Sequence, residues 1–365
     1  MKFLFAFFFL LPLFVFAQEQ TLLIGTYTNT TSEGIYVYIF NTATAETKFI
    51  STVKSSNPSF LAVSQNQKFV YAVNENNPGM VSAFAFHKDS GTLSFLNTVE
   101  TKGAHPCYVS TDKKAKHVVV GNYSGGNLSV FDVLENGSLS EAKQTIQHNG
   151  NSVNRQRQDK AHVHGTFYSP DCQFLFVPDL GMDKLMIYKV NGKTGMLTAA
   201  EPDYEDVNPG SGPRHLDFHP NNQFLYSLEE LTGRVSVFKY KEGKINLLQN
   251  VSAHPLDYIG VKGSADIHVS PNGKFLYCSN RGDANSIAIF SINEETGMLM
   301  LLGFQSTLGI HPRNFTIDPS GNFLLVANRD SDEVVIFKIN QLTGMLTDSQ
   351  QRIKVAKPVC LKWVK

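Results

Sequence analysis

The chain has 365 residues, and its 32 Lys and Arg balance 32 Asp and Glu to a formal net charge of zero. No global field draws it to nucleic acid or to an anionic membrane, so neither is expected as a partner. Hydrophobic residues at 42% with 27 Phe exclude disorder and specify a packed core, while 27 Gly point to many turns.

The chain opens "MKFLFAFFFLLPLFVFAQEQ", with one Lys, an apolar run interrupted by Pro12, and a small residue at Ala17. Residues 1–17 read as a secretory signal cleaved after Ala17, followed by one domain over 18–365. A membrane anchor needs roughly 20 uninterrupted apolar residues, more than this run supplies, and no Cys follows it as a lipoprotein signal requires. The mature protein is expected to be soluble and periplasmic or extracellular.

From Leu22 onward one pattern repeats. The end fragment "TLLIGTYTN…GIYVYIFN" is followed by "PSFLAVSQNQKFVYAVNENNPGMVSAFAF", "PCYVSTDKKAKHVVVGNYSGGNLSVFDV" and "HVHGTFYSPDCQFLFVPDLGMDKLMIYKV". Then come "GPRHLDFHPNNQFLYSLEELTGRVSVFKY", "ADIHVSPNGKFLYCSNRGDANSIAIFSI" and "HPRNFTIDPSGNFLLVANRDSDEVVIFKI". The copies recur after roughly 50 residues, the period of a propeller blade. Each holds short β-branched and aromatic runs bounded by Pro, Asn, Asp and Gly, which predicts four antiparallel strands, A to D. The first fragment lacks a strand A, and the C-terminal "KPVCLKWV" matches a strand A with nothing after it. Together they predict a seventh blade, and hence an all-β fold: one seven-bladed propeller closed by pairing of the two terminal strands.

Strands A and B are antiparallel neighbours, so the start of A and the end of B lie at one face of the ring. With A innermost, these positions converge on the mouth of the central channel. The A starts carry Asn57, His105, His162 with His164, Arg214 with His215, Asp266 with His268, and His311 with Arg313. The B ends carry Tyr27, Glu75, Tyr123, Asp179, Glu230, Arg281 and Arg329. The opposite ends hold "SPNG" and "DPSG", ordinary turn chemistry.

A histidine at a strand start can be purely structural, and facing arginines and acids can be an ion-pair lattice between blades. Histidine at five of seven A starts favours a site. His162, His164, His268 and His311 with Glu230 offer a metal cage, but only "HVH" is closely spaced, so no metal and no cofactor is expected. No "GxSxG" occurs, and Ser124 in "NYSGG" lacks the strand-to-helix elbow of a nucleophile. Cys107, Cys172, Cys278 and Cys360 fall on separated positions, so no disulfide is expected despite export.

The stretches "HVHGTFYSPD", "FLFVPDLG", "GPRHLDFHP", "EELTGRVSVF", "IHVSPNGKFLYCSNRG" and "HPRNFTIDPSGNFLLVAN" closely resemble the seven-bladed propeller lactonase family, which takes in 6-phosphogluconolactonase-like and carboxymuconate lactonizing enzymes. The resemblance runs from Leu22 to Trp363. It implies a carboxylic ester hydrolase whose catalytic residues are His164, Arg214, Glu230 and Arg281. His162, His105, Glu75, Tyr123, Asp179, His268, His311, Arg313 and Arg329 are then expected to bind substrate. Water activation falls to His164 or Glu230 and oxyanion stabilisation to Arg214 or Arg281. The expected partner is a small lactone, acted on by a monomer. A lactonizing cyclase and a non-catalytic ligand-binding propeller are the alternatives. Tyr108 stands where the family often has histidine, and Asn314 where it often has aspartate.

Overall fold

The computed structural model describes residues 19–364, and the signal segment read at residues 1–17 lies outside them. Among the described residues there are seven four-stranded antiparallel sheets. Blade 1 takes its innermost strand from Pro358–Val364 and its others from Glu19–Thr26, Gly34–Asn41 and Thr47–Lys54. Blades 2 to 7 follow in chain order, with strands A starting at Leu61, Pro106, Phe167, Pro213, Ser264 and Pro312.

Strand B of each blade is buried on both faces, which is why it reads as an almost unbroken apolar run rather than an alternation. In Phe275–Asn280 every residue is buried. Phe275 and Tyr277 join a core with blade 7, while Leu276 and Cys278 join a core with blade 5. Every adjacent pair of blades shares such a core, so the apolar clusters form a ring parallel to the ring of sheets. Polar pins recur at the same place. The hydroxyls of Tyr226 and Tyr277 donate to the carbonyls of Gly297 and Gly344 in the C–D turn of the next blade, at 3.0 and 2.9 Å. Those turns require glycine: φ is +71° at both, and a Cβ would stand 2.3 Å from Phe224 or 2.4 Å from Phe275.

The C-terminal strand closes the ring as the two complementary fragments predict. It pairs with Glu19–Thr26 from Thr21↔Val364 to Thr26↔Pro358. Leu361 N donates to Asn314 Oδ1 of blade 7 at 2.7 Å, and Leu61 N of blade 2 donates to Cys360 Sγ at 3.3 Å, so one strand ties three blades together. All four cysteines are free. No helix among the described residues is long and apolar enough to cross a membrane.

Deleting residues 357–365 removes strand A of blade 1 and leaves Glu19–Thr26 as an open edge. Loss of cooperative melting, or aggregation, is the expected result by calorimetry and light scattering. A truncated chain that melts like the full one would refute the closure.

Candidate active site

The mouth is built by one repeated hydrogen bond. In six blades the residue at the end of strand B donates its N–H to the carbonyl of the residue that leads into strand A. The pairs are Tyr27 to Lys357, Glu75 to Asn57, Tyr123 to His105, Glu230 to Gly212, Arg281 to Gly263 and Arg329 to His311, at 2.8–3.2 Å. In five of these the acceptor residue precedes a proline and has positive φ: Lys357, Asn57, His105, Gly212 and His311. That left-handed residue turns the chain over the rim, and the bond then sets the B-end side chain beside the channel.

Blade 4 makes the equivalent bond from Leu180 to His162. Leu180, not Asp179, is therefore the counterpart of Glu230, one residue later than the repeat predicts for this blade. A one-residue shift moves a strand side chain to the other face. Asp179 is accordingly fully buried away from the mouth, where its carboxylate accepts from His148 Nδ1 at 2.7 Å and from the amides of His162, Gly181 and Met182. It is a structural hub rather than a substrate contact.

A β-bulge then re-aims the second residue of strand A. The A–B register shifts across Pro213/His215, Pro312/Asn314 and Pro106/Tyr108, leaving Arg214, Arg313 and Cys107 as the extra residues. In blade 4 the regular strand A is reduced to Phe167–Tyr168, so His162 and His164 do not sit on a strand as expected. Only Val163 bridges Asp179, because the His162 amide is captured by the Asp179 carboxylate. The two rings still face one side: His162 stacks on Tyr123 with centroids 4.4 Å apart, and His164 meets the same ring edge-on at 5.3 Å.

Glu230 is the centre of the cluster. Its carboxylate accepts from Arg214 Nε at 2.9 Å and Arg157 Nη2 at 2.6 Å, and it lies 2.9 Å from Arg281 Nη2 and 4.0 Å from His164 Nε2. Burial works to raise its pKa, but Arg281, Arg214, His164 and Arg157 outweigh burial and hold it well below the ordinary carboxylate range. Arg214 is 1% exposed, and burial lowers it to about 10, so it stays protonated at neutral pH. Its Nη1 donates to the Ala265 carbonyl and faces His215 Nε2 at 3.2 Å. Arg281 gives Nε to the Gly263 carbonyl at 2.7 Å. Among the described residues, Arg214 Nη2 and Arg281 Nη1 have no hydrogen-bond acceptor.

His164 is held well below its ordinary pKa by burial and then by Arg214, so its ring is neutral. Its Nδ1 lies 3.7 Å from Cys107 Sγ. Burial pushes that thiol up to about 12, which rules it out as a thiolate nucleophile. Glu75 accepts from Tyr27 OH at 2.8 Å and lies 3.6 Å from Arg313 Nη2, while Arg313 covers the Tyr27 ring. His311 and Arg329 sit at the rim beside this group, with Nδ1 and Nη2 3.3 Å apart. Burial, Arg281 and Arg329 lower His311 to about 3.

Two expected contacts lie elsewhere. His105 is exposed at the rim and bonded to Ser124 Oγ at 2.9 Å, outside the central cluster. His268 comes four residues into its strand, roughly 13 Å from the start at 3.3 Å per residue. It sits with Asp266 at 3.1 Å and Asp217 at 3.8 Å, below the mouth. The metal cage fails for the same reason, and among the described residues no group of three His, Cys, Asp or Glu is placed to hold a metal ion. The two family departures are accommodated by packing. Tyr108 stacks on Phe60 at 4.0 Å, and Asn314 donates to Asp266 while accepting from Leu361, a role in which a second carboxylate would face the first.

Arg157 is the site residue that the repeat did not reveal. It lies on the segment between blades 3 and 4, outside the aligned copies, anchored by Gln158 Nε2 to the Leu180 carbonyl at 2.9 Å and Ser152 Oγ to Asp183 at 2.5 Å. The signal available was the length of "HNGNSVNRQRQDKA" at that junction.

Removing the shared carboxylate leaves Arg214 and Arg281 buried without their anion. Glu230→Gln is expected to lower unfolding free energy by about 3–5 kcal/mol, the range for breaking a buried pair from one side. Denaturant titration reads this directly, and an unchanged midpoint would show that the arginines are held by their backbone carbonyls alone.

A family model described as Lactonase, 7-bladed beta-propeller matches residues 21–363. A 6-phosphogluconolactonase of Formosa agariphila is 40% identical over 328 residues, 88% of this chain and 93% of its own. A 6-phosphogluconolactonase of Bacillus subtilis is 36% identical over 347 residues, 93% of this chain and 97% of its own. The solved structure of the periplasmic gluconolactonase of Pseudomonas aeruginosa superposes with a TM-score of 0.92 at 35% identity, covering 95% of this chain and 99% of that one. With the family model spanning all seven blades, the chain belongs to the seven-bladed β-propeller lactonase family.

Proposed function

We propose that the protein hydrolyses a sugar lactone, with His164 as the base and the arginines around Glu230 as the electrostatic partners of the oxyanion. The observation that carries this is a neutral histidine whose Nε2 stands 4.0 Å from an ionised carboxylate, beside guanidinium groups with uncommitted ends. The gap is too long for a direct hydrogen bond, so Nε2 keeps its lone pair for a proton from an attacking water.

Glu230 is a poor base because its oxygens are already taken up by Arg214, Arg157 and Arg281. His164 takes the proton as water adds to the lactone carbonyl. The imidazolium so formed is stabilised by Glu230, and the tetrahedral oxyanion by Arg214 Nη2 and Arg281 Nη1. Collapse breaks the ring C–O bond, and His164 returns the proton to the departing oxygen. The product is an open hydroxy acid, whose carboxylate gains from the excess positive charge: four guanidinium groups, Arg157, Arg214, Arg281 and Arg313, face two carboxylates, Glu75 and Glu230. His162, stacked on Tyr123 and bonded to its carbonyl at 3.0 Å, braces the ring that His164 packs on.

The same reading includes export and a monomeric state. Export is supported by the signal-like residues 1–17 and by the likeness to a periplasmic gluconolactonase. A monomer is supported by the completion of every sheet within one chain.

His164→Ala is expected to lower kcat by about 10²- to 10⁴-fold, the usual worth of a general base, with little change in melting temperature. Acid release from a panel of lactones measures it, and intact turnover would remove His164 from the chemistry. Because the neutral ring is the active form and burial depresses its pKa, kcat/KM should stay level as pH falls through 6.5 and drop only in more acidic solution. A midpoint at or above 6.5 would contradict this assignment.

A further inference from the structure

Beside the Glu230 cluster the mouth opens into a cleft of about 500 Å³ lined by Tyr27, Asn29, Asn57, Arg329, Asp330 and Lys357. It is continuous with the cluster through side chains. Tyr27 shares Glu75 with Arg313, Arg329 donates to His311, and His311 lies in the field of Arg281. The cleft therefore shares Tyr27 with the Glu75 and Arg313 pair of the mouth.

Two cations in the cleft invite a phosphate, but two carboxylates already stand against them, Asp330 in the lining and Asp332 beside it. Arg329 gives Nε and Nη2 to the two Asp330 oxygens, both at 2.8 Å. Lys357 Nζ lies 3.4 Å from Asp330 and 3.7 Å from Asp332. Asp330 is ionised throughout the neutral range, since the hydrogen bonds from Arg329 hold its pKa at about 2. The remaining lining groups, Tyr27, Asn29 and Asn57, are uncharged hydrogen-bonding side chains. An incoming phosphate would meet a carboxylate inside the cleft and would have to compete with it for both cations. A hydroxyl donates to that carboxylate and accepts from the amides without either cost.

We propose that Asp330 is a specificity-determining residue, which pairs with Arg329, shares Lys357 with the more exposed Asp332, and so fits the cleft to the hydroxyl groups of an uncharged sugar lactone while turning away a phosphorylated one. This rests on the lactone-hydrolase reading and narrows its substrate class.

The test compares kcat/KM for gluconolactone and 6-phosphogluconolactone in the wild type, in Asp330→Asn and in Asp332→Asn. The wild type should favour the uncharged lactone. Asp330→Asn, which keeps the shape and removes the charge, should move the ratio toward the phosphorylated lactone by about ten-fold or more. Asp332 is half exposed, outside the lining, and removing its charge should move the ratio by no more than about two-fold because solvent screens it. A wild-type preference for the phosphorylated lactone, a ratio unmoved in Asp330→Asn, or an equal shift in Asp332→Asn would each overturn the proposal. If neither lactone is turned over, the hydrolase reading fails, and calorimetric titration with gluconate and 6-phosphogluconate still reads the cleft. Tighter binding of gluconate in the wild type, weakened relative to 6-phosphogluconate in Asp330→Asn, would support it, and the reverse order would overturn it.

Discussion

Everything at the mouth depends on the pairing of Pro358–Val364 with Glu19–Thr26. A blade on its own is a sheet with apolar residues on both faces, and it becomes stable only between two neighbours. Seven such blades bury both faces of each sheet only if the last meets the first. The C-terminal strand does this, and it also bonds to the innermost strands of blades 7 and 2, so the channel acquires a fixed circumference. Side chains from separate blades can then be held within about 4 Å of one another.

That rigidity is what makes the electrostatics affordable. Arg214 is among the largest fully buried side chains of the protein, and a guanidinium in that position is strongly penalised unless an anion and backbone acceptors are already in place. Glu230 and the Ala265 carbonyl are in place because both sit on the framework of A–B hairpins. The same field keeps His164 neutral and Glu230 ionised, so the two groups that both look like bases in the sequence are separated into a proton acceptor and a charge stabiliser.

Below the mouth aromatic rings from several blades pack around His215. His215 touches Phe60, Tyr108, Phe167 and His164 edge-on, and its Nδ1 is bonded to Asp266 at 2.7 Å. Burial and Arg214 lower His215 to about 3, so it is neutral, and its Nε2 can accept from Arg214. The floor of the site is therefore a set of aromatic rings with one oriented imidazole.

The amino-acid sequence by itself determined the blade count, the strand order, the closure by complementary ends and the face that carries the chemistry, because each follows from a period and from antiparallel neighbours. His164, Arg214, Glu230 and Arg281 were legible for that reason: each occupies a repeat-equivalent position at the mouth. The tertiary structure decided what periodicity does not encode. Asp179 left the site because a single residue of register separates the mouth from the interior of the blade, and its neighbour Leu180 makes the rim bond instead. His268 left it because distance along a strand becomes depth in a channel. Arg157 entered because a segment between blades folds over the mouth, and only the folded ring places its guanidinium on a carboxylate 73 residues away in sequence. The bulges that aim Arg214 and Arg313 inward, and the carboxylate that cancels Arg329, are likewise consequences of three-dimensional neighbours, since a charge acquires its meaning from what stands within a few ångströms of it.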